Sequence, residues 1–189
     1  MGANTATNVT TGKPKVTGAV WVAPKGTALP TDATTALSGA FTNLGYVSDA
    51  GLENTNDLNI STIKEWGGLV VYQSLDEFTD QFKLTLIEAK SIDVLKAAYG
   101  DDNVTESEGT IHVEVNADDP QERVWVFELA LRGGIAKRIV VASGAVTGRD
   151  AITYTASDAV GYGLTISAYP DATGKTHDEY IEASETPSA

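Results

Sequence analysis

Chemistry in this 189-residue chain would have to rest on carboxylates, hydroxyls and imidazoles, because it has two histidines, no cysteine, and 26 Asp and Glu against 13 Lys and Arg. The missing thiols rule out thiolate nucleophiles, disulfides, zinc–thiolate sites and iron–sulfur clusters. His112 stands on the polar side of a short alternating run and His177 in an acidic tail, and neither has a partner nearby in sequence. Both read as ordinary surface residues. Asp101, Asn103, Thr105 and Ser107 have the alternate-oxygen spacing of a calcium loop, but Glu106 stands where the sharp turn needs glycine and His112 where the bidentate Glu belongs. The pairs Asp76–Glu77, Asp101–Asp102 and Asp118–Asp119 could serve a glycosidase only if an aromatic cleft gathered them, and no pattern does so. No nucleophile elbow, zinc-protease helix or phosphate loop is present, and Gly161 and Gly163 read as a strand kink. No catalytic group and no cofactor site emerges.

The elements that would position such groups are mostly strands. Residues 1–16 are small, polar and Thr-rich, and are expected to form an N-terminal arm. A first strand is expected over Thr17–Ala23, a long loop follows to Phe41, and Asn43–Ser48 reads as a short strand. About 49–67 is polar and only weakly alternating, which predicts a long loop dotted with Leu52, Leu58, Ile60, Ile63 and Trp66. Asp76–Glu88 alternates with period two: Phe78, Phe82, Leu84 and Leu86 face one way, and Glu77, Thr79, Gln81, Lys83 and Thr85 the other.

One helix is expected, about 91–99, with Ser91 as N-cap and Gly100 ending it. Strands follow at Ile111–Val115 and in a hairpin turning at Gly133–Gly134, with two more predicted in AITYTAS and GYGLTISAYP. Beyond Pro170, residues 171–189 read as a C-terminal arm. The fold class is mainly β: a β-sandwich or barrel of antiparallel strands over 17–170, with one flanking α-helix and extended arms and loops.

A net charge of −13 opposes tight nucleic-acid binding, which rests on clustered Lys and Arg. The charge is uneven. Lys13, Lys15 and Lys25 face only Asp32 up to Ala40, whereas Asp101–Glu122 holds eight acids and no base. No signal-like or membrane-spanning run is visible, so folding in a cytoplasm is expected. Long loops and arms add backbone without core, which suits an assembly that orders them against neighbours.

The order of elements resembles the tail tube proteins of long-tailed, non-contractile (siphovirus-type) bacteriophages. The resemblance is carried by TGAVWVAPKGTALPTDATTALSGAFTNLGYVSDAGL, by IKEWGG and LIEAKSIDVLKAAYG, by VWVFELALRGGIAKRIVVASG, and by ITYTASDAVGYGLTISAYPD. It implies a non-enzymatic structural virion protein, assembled in the host bacterial cytoplasm, whose hexameric rings stack into a hollow tube. Its partners would be itself and the tape measure, tail tip and tail terminator proteins. DNA would pass through the lumen during ejection without sequence-specific binding. On that reading Leu52, Leu58, Ile60, Ile63 and Trp66 are expected at contacts between subunits or rings, and Glu77, Thr79, Gln81, Lys83, Thr85, Glu122 and Glu128 on the lumen. The rivals are an extracellular carbohydrate-binding or adhesin-type module and a head-decoration or connector protein. The first would need exposed aromatics gathered on one sheet, yet most Trp and Phe pattern as core.

Overall fold

The computed structural model describes residues 6–183. After a short 3-10 turn at Ala6–Asn8, strand β1 covers Gly12–Pro14, β2 Val20–Pro24, β3 Thr42–Asn43, β4 Val47–Lys64 and β5 Val70–Leu86. Helix α1 (Ile92–Tyr99) follows, then β6 (Val104–Ser107), β7 (Thr110–Val113), β8 (Arg123–Leu131), β9 (Ala136–Arg149), β10 (Tyr162–Ala168) and β11 (His177–Ile181). Nine strands form one antiparallel sheet in the order β3-β2-β8-β9-β10-β5-β4, with β1 on β8 and β11 on β9, while β6 and β7 make a separate hairpin.

The sheet rolls around the larger of two apolar clusters. Val20 and Val22 from one end meet Phe82, Leu84 and Leu86 from the other, with Trp125, Phe127, Val141, Leu164 and Ile166 between them. The chain between β3 and β4 stitches the two ends together: Leu44 N–H donates to the Val20 carbonyl, and Ile87 N–H donates to Tyr46. Helix α1 buries Val94, Leu95, Ala97 and Ala98. Its expected caps differ in detail. Ser91 is extended but makes no side-chain cap bond, and Gly100 takes φ 101° with ψ 150°, outside the left-handed helical well.

The hairpin turn between β8 and β9 lies at Gly133 and Gly134, with φ of 87° and 85°, as the paired glycines imply. Trp125, Phe127 and Leu129 share the core face. The opposite face of β8 is also covered, because the loop between β2 and β3 brings Phe41 and Leu37 over Val124, Val126 and Val140.

Several expectations are corrected. The first strand begins at Val20, after a turn in which Gly18 N–H bonds the Lys15 carbonyl. AITYTAS forms no strand. The arms are partly docked: Gly12–Pro14 pairs with Leu129–Leu131, and His177–Ile181 pairs with Lys137–Val141. Of the two arms, residues 1–5 and 184–189 lie outside the described residues. The largest correction concerns 49–67. Instead of a loop it supplies most of β4, an 18-residue strand paired with the 17-residue β5.

Candidate functional site

Strand β10 pairs with β5 only from Leu86 to Gln81. Beyond that point, among the described residues, β4 and β5 pair only with each other, from Asn56↔Asp80 to Lys64↔Val70. They leave the body as a two-stranded ribbon roughly 30 Å long, at about 3.4 Å per residue. The turn at its end is closed by Glu65 N–H to the Leu69 carbonyl (2.9 Å) and Gly68 N–H to the Glu65 carbonyl (2.9 Å), with Gly68 at φ 93°. The Glu65 carboxylate accepts from the backbone of Gly67 and Leu69, and these bonds hold its pKa below the ordinary range.

Strand alternation gives the ribbon two faces. One continues the core: Leu84 opposite Leu52, Phe82 opposite Asn54, Asp80 opposite Asn56, then Phe78 opposite Leu58 and Leu75 opposite Ile60. Past Asp80 none of the described residues covers this face, and Leu58, Ile60, Leu75 and Phe78 are 61, 50, 55 and 44% exposed. A bulge at Asp76 preserves the alternation by letting Asn59 pair with Glu77 and Ile60 with Leu75. The other face is polar as far as Ser61 and Ser74. It presents Glu53 opposite Lys83, Thr55 opposite Gln81, Asp57 opposite Thr79, and Asn59 opposite Glu77.

This polar face runs on without a step across β10 and β9. Gln81 Nε2 donates to Ser167 Oγ (3.2 Å), and the Ser167 and Thr147 hydroxyls lie 2.7 Å apart. Lys83 Nζ lies 3.1 Å from the Asp150 carboxylate, so the cation on this surface has an anionic partner. Gly163 makes that pairing possible, since a Cβ there would lie 2.6 Å from Asp150 Oδ2. The surface is thus a carpet of hydroxyls, amides and carboxylates spread over four strands.

At the root of the ribbon sits a polar cluster. Asp80, 2% exposed, occupies a core-face position. Its Oδ1 accepts from Asn54 Nδ2 (2.9 Å) and Asn56 Nδ2 (2.7 Å), and its Oδ2 lies 2.6 Å from His177 Nδ1. The imidazole also stands edge-on to Phe82 at 5.3 Å. His177 is therefore not an ordinary surface residue: strand β11 carries it to the place where β5 leaves the body. His112 is exposed, 3.8 Å from Glu114.

Among the residues expected on the lumen, Glu77, Thr79, Gln81, Lys83 and Thr85 do share one face. Glu122 stands apart from them, tied to Lys25 and Ser143, and the Lys25 hydrogen bond followed by the Ser143 bond lowers its pKa. Glu128 is corrected outright. It is 4% exposed, paired with Arg138 (Nη2–Oε1 2.5 Å) and Lys15 (3.1 Å), beneath the loop that Arg138 grips through the Asp32 (2.7 Å) and Thr35 (2.8 Å) carbonyls. Alternation along β8 sets Glu128 on the face opposite Trp125, Phe127 and Leu129, and no local pattern signals the loop that buries it.

Of the expected contact residues, Leu58, Ile60, Ile63 and Trp66 lie on the ribbon and its tip, with Ile63 opposite Tyr72 on the other face. Leu52 is corrected: it packs against the molecule's own core. The calcium-like spacing is also undone. Thr105 and Ser107 lie in β6, Glu108 and Gly109 make the turn, and Asp101 pairs with Arg123 at 2.9 Å. Among the described residues no group of three or more His, Cys, Asp or Glu is placed to hold a metal, and no helix is long and apolar enough to cross a membrane.

No curated protein matches the chain. A family model described as "Phage tail tube protein" matches residues 1–189. With its full length covered by that match, the chain belongs to the phage tail tube protein family.

Proposed function

We propose that this protein is the repeating subunit of a long, non-contractile phage tail, forming rings of six that stack into a hollow tube through which DNA leaves the virion. A tail tube family is a structural, non-enzymatic family, and membership places the chain in the virion as a self-assembling component. The finer reading rests chiefly on one observation: a ribbon that is polar on one side, apolar on the other, and paired along neither outer edge with any of the described residues.

An exposed strand edge pairs readily with another chain, and an apolar face of this kind needs a cover. In the assembly, neighbouring ribbons join edge to edge around the bore. Leu58, Ile60, Leu75 and Phe78 turn outward against the next subunit. Glu53, Asp57, Glu77, Thr79, Gln81, Lys83 and Thr85 line the lumen with Thr147, Thr165 and Ser167. A wall carrying carboxylates, with its lysine held by Asp150, does not trap phosphate, so a duplex slides along it. The tube is assembled in the bacterial cytoplasm and capped by tail tip and terminator proteins, with a tape measure protein inside.

Negative-stain microscopy of the purified protein, raised in concentration alone and with tail initiation components, tests this reading. Rings and hollow tubes are expected. Monodisperse single domains under both conditions would overturn it.

A further inference from the structure

The ribbon tip carries an unusual side chain. Of the three tryptophans, Trp125 is fully buried, whereas Trp66 is 104% exposed, with Leu69 beside it at 72%. A free-standing indole on a tight turn is the kind of aromatic anchor that fills a pocket on a partner.

A pocket suited to it lies at the far end of the same molecule. It has a volume of about 270 Å³ and is lined by Tyr99, Val115, Ile152, Tyr162 and Leu164, together with Arg149 and Asp150. Tyr99 and Tyr162 meet edge to face at 5.9 Å, and the Arg149 guanidinium stacks 4.8 Å above Tyr99. That guanidinium makes no ion pair among the described residues. Small-ligand pockets start near about 300 Å³, so this one is on the scale of a single aromatic side chain.

The strand register fixes where tip and pocket lie. Tyr162 pairs with Leu86 and Ser167 with Gln81, and the ribbon departs from the Gln81 end. The tip and the pocket are therefore at opposite ends of β5, roughly 50 Å apart at about 3.3 Å per residue. No chain can fill its own pocket. A contact between two different patches at opposite ends of a subunit is head-to-tail, and repeated along the strand direction it stacks without closing. The tip carries the Glu65 carboxylate next to Trp66, with Lys64 before it; the pocket lining carries Arg149, which has no ion pair among the described residues, and Asp150, which is already paired with Lys83.

We propose that the pocket between Tyr99 and Tyr162 receives the Trp66 tip of a second copy of this chain, with Glu65 of the incoming tip meeting Arg149. This docking rests on the tube reading above and supplies its axial joint.

A double-cysteine variant tests it cleanly because the chain has no cysteine of its own. Oxidised polymer of Leu69→Cys/Val115→Cys, which keeps Trp66, should give a reducible covalent ladder extending well beyond dimers, and neither single variant should. Trp66→Ala and Arg149→Glu should leave the circular dichroism spectrum unchanged and raise the concentration needed for polymerisation at least about tenfold, as loss of an aromatic or Arg hot spot does. Tubes from the double-cysteine variant without a ladder, or Trp66→Ala polymerising at the wild-type concentration, would overturn the docking and leave the tube reading standing. Failure of the wild-type chain to form any tube would overturn both.

Discussion

Glu128 and Arg138 show how much of this molecule depends on a few buried polar residues. The pair sits under the loop between β2 and β3, and Arg138 spends its remaining donors on that loop's carbonyls. Removing one partner strands the other charge in a low-dielectric site. Glu128→Ala should cost about 3–5 kcal/mol in chemical denaturation, whereas the exposed neighbour Glu122→Ala should cost far less.

Asp32 gives a pH signature to the same loop. Bonds from the Thr35 side chain, the Thr35 N–H and the Thr34 N–H hold its pKa down to about 2. The folded carboxyl takes its proton less readily than the unfolded one near 3.8, so its contribution is complete above pH 4 and is lost as pH falls toward 2. Asp32→Ala should flatten the acid limb of stability between pH 4 and 2; an unchanged limb in thermal melts across that window would contradict the assignment.

The β4–β5 ribbon is the element on which the proposed assembly turns, and it was the least legible part of the sequence. Its signals were present: Gly67–Gly68 marked the turn, and Leu58 and Ile60 alternate. They were masked because Asn54 and Asn56 occupy core-face positions where an apolar residue would have declared a strand, and because the apolar residues beyond them face no core of their own. Asp80 explains the asparagines, since they exist to satisfy its carboxylate. Neither β11 nor its His177 was foreseeable as a partner, lying 97 residues away in a tail that reads as polar.

Two outcomes follow for this element. Replacing residues 57–78 with a short glycine turn keeps Leu52, Phe82, Leu84 and Leu86 in place, so the body should stay folded by circular dichroism and fail to polymerise. Loss of the fold would show that the ribbon stabilises the core. His177→Ala removes a hydrogen bond to a buried carboxylate, worth about 1.5–3 kcal/mol, and should speed amide exchange at Asn54–Leu58 and Phe78–Gln81 more than in the β8–β9 hairpin. Uniform protection in the variant would mean that β11 does not steady the root of the ribbon.

At the scale of the whole molecule, the rolled sheet, the helix and the β8–β9 hairpin were all readable, because each rests on local rules: period-two alternation, a 3.6-residue stripe and paired glycines. What was not readable is which parts lie over which. The loop covering Glu128, the docking of both arms and the continuity of the polar carpet from β4 to β9 come from long-range packing that no local pattern encodes. The carpet has a direct consequence. Tubes should bind double-stranded DNA weakly at low salt, and exchanging Glu53, Asp57 and Glu77 for lysine should create binding that falls steeply as salt rises. Equal DNA retention by wild-type and lysine tubes in a filter assay would argue against a lumen lined by this face.

The most direct test is a cryo-electron microscopy map of the assembled polymer. A hollow tube is expected, with Thr55, Thr79, Gln81 and Lys83 facing the bore and Leu58, Ile60, Leu75 and Phe78 covered by the adjacent subunit. A polymer in which the β4–β5 ribbons point outward into solvent, or in which the apolar face borders the lumen, would contradict the account.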